Sequence, residues 1–162
     1  MALRDPTEHL DPKVRRLWAV QDVLGALGVG AVGAVLLVGV DATGADAGGA
    51  GVALVVVAAL GALGRAAWAP GVRWRHHRYE VLDEGLFIAS GWLVRRRHLV
   101  PHARVQTVDT RSDPLMRAFG LVEVQVRTAS HQGSVTLPGL AADVADDLVA
   151  VLAARAGHDQ AT

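Results

Sequence analysis

Two long runs without a charged residue occupy the first half of the chain, at residues 23–40 and 47–64. A membrane-spanning helix needs about 20 mostly apolar residues, which at ~1.5 Å per residue cross a hydrocarbon core ~30 Å thick. Neither run has the polar face that a helix on the surface of a soluble protein carries. The pattern predicts a transmembrane helical hairpin over residues 17–69, with helices at about 20–40 and 47–68.

Two alternative interpretations fit these runs less well. Buried helices of a soluble bundle would have a similar length, but they would normally alternate apolar and polar faces. A cleaved signal peptide has an apolar core of ~7–15 residues that ends in a small-residue cleavage site. Here 22 residues precede the first run, and a second run follows at once.

The charges around the hairpin predict its orientation. Lys and Arg residues precede the first helix and follow the second, whereas the connecting loop carries Asp41 and Asp46 and no basic residue. By the positive-inside rule, both termini then lie in the cytoplasm, and residues 1–16 form a cytoplasmic N-terminal segment. Trp18 and Trp68 lie at the two basic ends, where an indole suits the headgroup level. We therefore expect a multi-pass protein of the plasma membrane.

Small residues recur every fourth position on both predicted helices: Ala26, Gly30 and Ala34 on the first, and Ala58, Ala62 and Ala66 on the second. Small residues at this spacing let helix backbones approach closely in lipid. The two stripes are therefore predicted to pack on each other or on another subunit. A composition rich in Ala and Gly also produces such stripes by chance, and both interpretations stay open.

Residues 73–155 follow a different pattern, typical of a β domain closed by a helix. Strict alternation over residues 121–128 predicts a half-buried antiparallel strand. Further strands are predicted at 79–82, 86–89, 92–100, 105–108 and 134–137, with a short helix at 114–119. Apolar residues at helical spacing predict a closing amphipathic helix, with Leu140, Val144, Leu148, Val151 and Leu152 on its apolar face. Residues 156–162 are expected to form a loose tail.

Composition narrows the chemistry. The chain has 16 basic and 16 acidic residues and no cysteine, which excludes disulfides and thiolate metal sites. Neither a nucleophile elbow nor a phosphate-binding glycine loop is present, and seven aromatic residues are too few for a nucleic-acid surface. His76 and His77 would face opposite sides of a strand, which disfavours shared metal binding. The sequence predicts no catalytic residue, metal, cofactor, small-molecule substrate or nucleic-acid partner.

Several short motifs follow one another in the second half: Glu84-Gly85-Leu86, Gly91-Trp92-Leu93, Arg104-Val105-Gln106, Asp113-Pro114-Leu115, Phe119-Gly120-Leu121 and Leu137-Pro138-Gly139-Leu140. Their order resembles the bacterial pleckstrin-homology-like (PH-like) domain of YdbS-type membrane proteins, from about Arg73 to Leu152. The resemblance implies an α+β membrane protein. After the hairpin it would have a curved seven-stranded antiparallel sheet, or partly closed barrel, capped by the C-terminal helix. It brings no catalytic residues.

Basic residues are the main candidates for binding. Between residues 65 and 135 there are eleven Arg against six acidic residues. The candidates for lipid or partner binding are Arg73, Arg75, Arg78, Arg95, Arg97, Arg104 and Gln106. In a strand, Arg95 and Arg97 would point to one side and Arg96 to the other. The alternatives are that the arginines only solvate strands and set topology, and that Arg104 and Gln106 bond to loop carbonyls.

Two functions follow as hypotheses. The first is a non-catalytic, membrane-anchored scaffold or assembly subunit that binds protein, either a related PH-like membrane subunit or a second copy in a homo-oligomer. Exposed sheet edges can accept an added strand in such a fold. The alternative is recognition of membrane lipid, in which the basic face binds anionic headgroups. Salt should weaken lipid binding through arginines and leave strand addition nearly unchanged.

Overall fold

The structure is a computed structural model of the chain. It describes residues 6–43, 48–92, 94–128 and 134–159, without the side chains of residues 156–159. Two compact units are present, and we name them for their contents. The hairpin unit is Trp18–Pro70, and the sheet unit combines Met1–Leu17 with Gly71–Thr162. The hairpin is therefore inserted into the sequence of the sheet unit.

Two long helices form the hairpin. Helix α1 covers Lys13–Ala42 and α2 covers Gly48–Arg75, and both are long and apolar enough to cross a membrane. Each helix is longer than its predicted bounds, because α1 begins earlier and α2 ends later in the sequence. At the start of α1, the Asp11 carboxylate accepts a hydrogen bond from the Lys13 backbone N–H at 2.7 Å, which satisfies a donor that the helix leaves unpaired.

Within the hairpin unit, the helices approach each other closely at a glycine. A Cβ at Gly33 would overlap the methyl groups of Val55, so the glycine permits close approach. Nearer the basic ends, Arg65 forms an ion pair of 2.6 Å with Asp22. The predicted packing residues differ in their exposure to solvent. Ala26 and Ala66 are buried, Gly30 and Ala62 are half-buried, and Ala34 and Ala58 are exposed.

In the described part of the sheet unit, seven strands form two open antiparallel sheets. The four-stranded sheet has the order β1-β2-β3-β4 and the three-stranded sheet the order β5-β6-β7. The strands are β1 Glu8–His9, β2 Arg78–Val81, β3 Gly85–Ser90, β4 Arg96–Pro101, β5 Val105–Arg111, β6 Leu121–Thr128 and β7 Ser134–Ala141. A 3₁₀ turn (His102–Arg104), a short helix α3 (Pro114–Ala118) and the closing helix α4 (Ala142–Asp159) complete the unit. The predicted α+β fold class is confirmed.

Strand β6 and helix α4 both contribute buried side chains to the core. The alternation predicted for β6 is present from Val124 onward, where Val124 and Val126 are fully buried. A register shift between Val122 and Glu123 interrupts it, so that Leu121 is buried and Val122 only half-buried. The closing helix also exists, and Leu148 and Leu152 of its predicted apolar face are buried, but the other three predicted residues are not on its buried face. Leu140 belongs to β7, and the buried residues of α4 are Ala145, Leu148 and Leu152, whereas Val144 and Val151 are exposed. Leu140 lies in strand β7, although helical spacing alone had assigned it to the helix.

The start of β4 differs from the prediction. The sequence predicted a strand over residues 92–100, but β4 begins at Arg96, and Leu93 lies outside the described residues. Gly91 has a φ of +93°, and a Cβ there would collide with the Val94 carbonyl oxygen. The chain therefore turns at Gly91, directly before the predicted strand, and the strand begins at Arg96 instead of residue 92.

An N-terminal strap, residues 6–17, completes the sheet unit. Strand β1 in this strap pairs with β2, and Leu10, Val14 and Leu17 are almost fully buried. The Asp11 N–H donates to the Gly139 carbonyl at 3.2 Å, which ties the strap to β7. The sequence had predicted residues 1–16 as an N-terminal segment separate from the β domain. Its hydrophobic residues are too few and too far from the strands in sequence for local periodicity to reveal the contact.

One aromatic side chain holds the strap at the end of α2. The Trp74 indole Nε1–H donates to the Leu10 carbonyl at 2.8 Å. The His9 ring stacks on the Trp74 ring with centroids 5.0 Å apart, and the Arg15 guanidinium lies 5.6 Å from the ring centroid. These contacts join residues more than 55 positions apart and make the strap part of the folded unit.

Candidate functional site

A row of three residues crosses the four-stranded sheet next to the end of α2. In the register of this sheet, Arg78 on β2 is opposite Ala89 on β3, and Ala89 is opposite Arg97 on β4. Directly opposed residues of antiparallel strands have their side chains on the same face. The two guanidinium groups therefore project from one face, on either side of a small methyl side chain.

This row forms one wall of a basic pocket with a volume of about 280 Å³. Four of the eight residues that line the pocket are arginines, one is a histidine and none is acidic. They are Arg75, His76, Arg78, Ala89, Ser90, Gly91, Arg95 and Arg97. We call the cavity lined by these residues the basic pocket.

Three structural elements position these side chains. Arg75 is the last residue of α2, and the ring of the next residue, His76, has its Nδ1 2.8 Å from the Val72 carbonyl oxygen. This bond satisfies a carbonyl at the helix end, where backbone acceptors lack intrahelical partners. The turn at Gly91 then brings Arg95 to the same concave surface as β3 and β4.

The charges of the basic pocket favour anions. A guanidinium group stays protonated at physiological pH and presents a planar set of N–H donors that matches phosphate or carboxylate oxygens. Concave surfaces lined by one sign of charge focus the electrostatic potential and concentrate ions of opposite sign. The lining is thus chemically suited to an oxyanion, and its Ser90 hydroxyl adds a neutral hydrogen-bonding group.

A second cleft lies between the two sheets and has a volume of about 500 Å³. It is lined by Arg73, Arg96, His77 and His98, and by residues of β6 and β7 that include Glu123. Burial lowers the pKa of His77, and the charges of Arg73 and His76 lower it further, although the bond from the His77 ring to the Arg73 carbonyl at 2.8 Å opposes this shift. With two arginines and a carboxylate in its lining, this cleft is less positive than the basic pocket.

The structure distributes the predicted site residues over three places. Arg75, Arg78, Arg95 and Arg97 converge on the basic pocket, whereas Arg73 lines the second cleft. The other two predicted residues, Arg104 in the 3₁₀ turn and Gln106 on β5, are exposed and line neither of these pockets.

A polar cluster around one buried histidine lies elsewhere and includes Arg155 of α4. His102 is 2 % exposed, and its Nε2 lies 3.0 Å from the Leu82 carbonyl oxygen. Arg155 donates to the same carbonyl at 2.6 Å and forms an ion pair with Asp83 at 3.3 Å. The cluster joins the closing helix to the β2–β3 turn and has a structural role.

Comparison with known proteins decides the family. Residues 24–156 match the model of the family described as "Bacterial PH domain". The chain belongs to this bacterial PH domain family. The UPF0699 transmembrane protein YdbS of Bacillus subtilis (strain 168) is 40% identical over 79 residues, which are 49% of this chain and 48% of that protein. The aligned part is thus about half the length of each protein. No solved structure matches the chain.

Family membership confirms the resemblance to YdbS-type proteins that the sequence motifs indicated. The word "transmembrane" in the name of the Bacillus relative agrees with the two apolar helices of this bacterial PH domain protein. The family is PH-like and is not a known enzyme family.

Sequence reasoning missed half of the lining of the basic pocket in this bacterial PH domain. Ala89 and Ser90 lie in β3, and their position beside the arginines depends on strand register, which no local pattern showed. His76 was considered only as a metal ligand, and Gly91 only as a turn residue. The signals that pointed to this side of the sheet were the Arg95-Arg96-Arg97 run and the arginines at positions 75 and 78.

Proposed function

We propose that this protein is a non-catalytic, membrane-anchored binding module whose basic pocket recognises anionic lipid headgroups. The observation that supports this most is the convergence of four arginines, from α2, β2 and the β3–β4 region, on one pocket without an acidic residue. We further propose that both termini are cytoplasmic, which would present the pocket to the inner leaflet of the plasma membrane. Anionic lipids give that leaflet a negative surface potential.

Chain connectivity favours a lipid as the ligand. Arg75 lines the basic pocket and follows Gly64, the end of the second uncharged run, by only eleven residues. A cation close to an anionic membrane surface contributes ~1 kcal/mol, and the attraction decays within a Debye length. Four such arginines would contribute roughly 4 kcal/mol at low salt, which corresponds to nearly a thousandfold preference for an anionic surface.

Native mass spectrometry of the full-length protein tests this proposal. The protein, in mild detergent, is titrated with phosphatidylglycerol or phosphatidylcholine, and bound lipids are counted. We expect selective retention of phosphatidylglycerol, with loss of this selectivity in the double variant Arg78→Glu, Arg97→Glu. The matched control is Arg104→Glu, which reverses an exposed arginine outside the pocket and should retain lipid like the wild type.

The outcome is informative in both directions. If the double variant retains phosphatidylglycerol as well as the wild type does, the basic pocket is not the headgroup site. If the control loses the lipid to the same extent, general surface charge rather than the pocket is responsible. Raising the salt concentration should reduce retention by the wild type, because the attraction is electrostatic.

Open sheet edges support a second candidate, the scaffold or assembly subunit. Among the described residues, β4 pairs only with β3, and β5 and β7 pair only with β6, so each has an edge that could accept a strand. Crosslinking of the full-length protein in native membranes, followed by mass spectrometry, would recover a PH-like membrane subunit or a second copy in near-equal amount. Recovery of the protein alone would leave headgroup recognition as the function to pursue.

A further inference from the structure

Exposed apolar side chains border the basic pocket. Trp92 is 57% exposed and Val94 is 65% exposed, and both lie in the connection between β3 and β4. Outside the two long helices, no large apolar residue in the described part of the chain is more exposed than these two. Their neighbours Gly91 and Arg95 line the basic pocket, so the apolar tip and the cationic surface are continuous.

This combination has a specific physical meaning. Single exposed apolar residues are common and need no explanation. Here, however, a tryptophan and a valine lie two positions apart in the sequence, directly before three consecutive arginines. An indole favours the membrane–water interface, where its ring is in an apolar region and its N–H near polar groups. Basic residues beside apolar ones are typical of segments that lie in the interface of an anionic bilayer.

We propose that the β3–β4 connection inserts Trp92 and Val94 into the interface of an anionic bilayer. This inference rests on the proposed headgroup function of the basic pocket, because the same surface would bind the headgroups around the inserted side chains. The insertion is shallow, at the boundary between headgroups and acyl chains, since the connection spans only a few residues. It gives the sheet unit a membrane contact of its own, in addition to the spanning helices.

A lipid surface suits this tip better than a protein partner for two reasons. Arg95 and Arg97 flank the apolar residues, and their charge is complementary to anionic headgroups. Arg75, at the end of α2, lines the same pocket, so the chain that crosses the membrane leads directly into this surface. Membrane contact is thus available to the tip at high local concentration without a diffusing partner.

The sequence contains no cysteine, so one introduced cysteine can carry a spin label at a single chosen position. Such a label can test the insertion. Val94→Cys places a nitroxide spin label at the tip, and Val144→Cys is the matched control, an exposed valine on α4. The full-length protein is reconstituted in nanodiscs of phosphatidylcholine, with or without phosphatidylglycerol. Accessibility of each label to oxygen, which partitions into lipid, is compared with accessibility to a water-soluble nickel chelate.

We expect the label at position 94 to gain oxygen accessibility and to lose nickel accessibility several-fold in discs with phosphatidylglycerol. The label at position 144 should remain accessible to nickel in both. Adding Trp92→Ser to the Val94→Cys protein should reduce the effect at position 94. In the Val144→Cys background the same substitution should change nothing, which shows that the fold is intact.

The possible failures are distinguishable. A label at position 94 that is as accessible to nickel as the label at 144 in both lipids overturns the insertion. If selective phosphatidylglycerol retention is still found by mass spectrometry, headgroup recognition survives that result. Equal insertion in pure phosphatidylcholine supports insertion of the tip, but it contradicts the role of the arginines in drawing it to the membrane.

Discussion

The N-terminal strap makes a quantitative prediction for the stability of the sheet unit. Leu10 is 1% exposed, so its truncation to alanine would leave a cavity in the core of the sheet unit. A fully buried Leu→Ala change costs about 2–5 kcal/mol. A domain of ~100 residues has a total stability of roughly 5–15 kcal/mol, so Leu10→Ala should remove a large part of it. In a loose tail, the same substitution would cost almost nothing.

Pulse proteolysis in urea measures this effect on the full-length protein in nanodiscs, because it reports cleavage of the unfolded sheet unit while the spanning helices stay in lipid. We expect the urea midpoint of Leu10→Ala to fall well below that of the wild type. Leu99→Ala is the matched control, since Leu99 on β4 is 43% exposed and should cost under about 1 kcal/mol. Equal midpoints for Leu10→Ala and the wild type would refute the strap as a part of the folded unit.

Two further predictions use the same assay. Gly139→Ala should destabilise the unit by roughly 2–4 kcal/mol, because Gly139 has a φ of +87° and a Cβ there would overlap Val14. Val14→Ala should cost less in the Gly139→Ala background than alone, and additive costs would contradict that overlap. The pKa of His77 is lowered in the folded protein, so as the pH falls the unfolded chain takes up this proton before the folded chain does. The free energy of unfolding should therefore be constant above the unfolded pKa of 6.5 and decline as the pH falls below it. The decline should be smaller in His77→Asn, and parallel pH profiles of wild type and variant would contradict this assignment.

Local patterns were sufficient for the elements that depend on local physics. The absence of charge over residues 23–40 and 47–64 is a direct requirement of a helix in lipid, so it identified both long helices. Alternation identified β6 for a similar reason, since a half-buried strand places every second side chain in the core. The α+β fold class followed from these elements, and the ordered motifs identified the family.

The remaining features depend on contacts between distant residues. The basic pocket exists because the register of three strands places Arg78 and Arg97 on either side of Ala89. A shift of one residue in any of these strands would move its side chain to the opposite face. The sequence predicted only that Arg95 and Arg97 would differ in direction from Arg96. Which side chains of neighbouring strands lie beside these arginines depends on how the strands pair, and no single strand shows it.

The position of the hairpin within the fold has a consequence for topology and for experiment. Strand β1 precedes α1 and β2 follows α2, yet the two strands are hydrogen-bonded in one unit. Their pairing requires an even number of membrane crossings between them, which a two-helix hairpin satisfies and a single spanning helix does not. A fragment that begins after the hairpin would lack β1 and the buried side chains of Leu10, Val14 and Leu17. Weak lipid binding by such a fragment would therefore reflect an incomplete core, and only the full chain can test what the basic pocket binds.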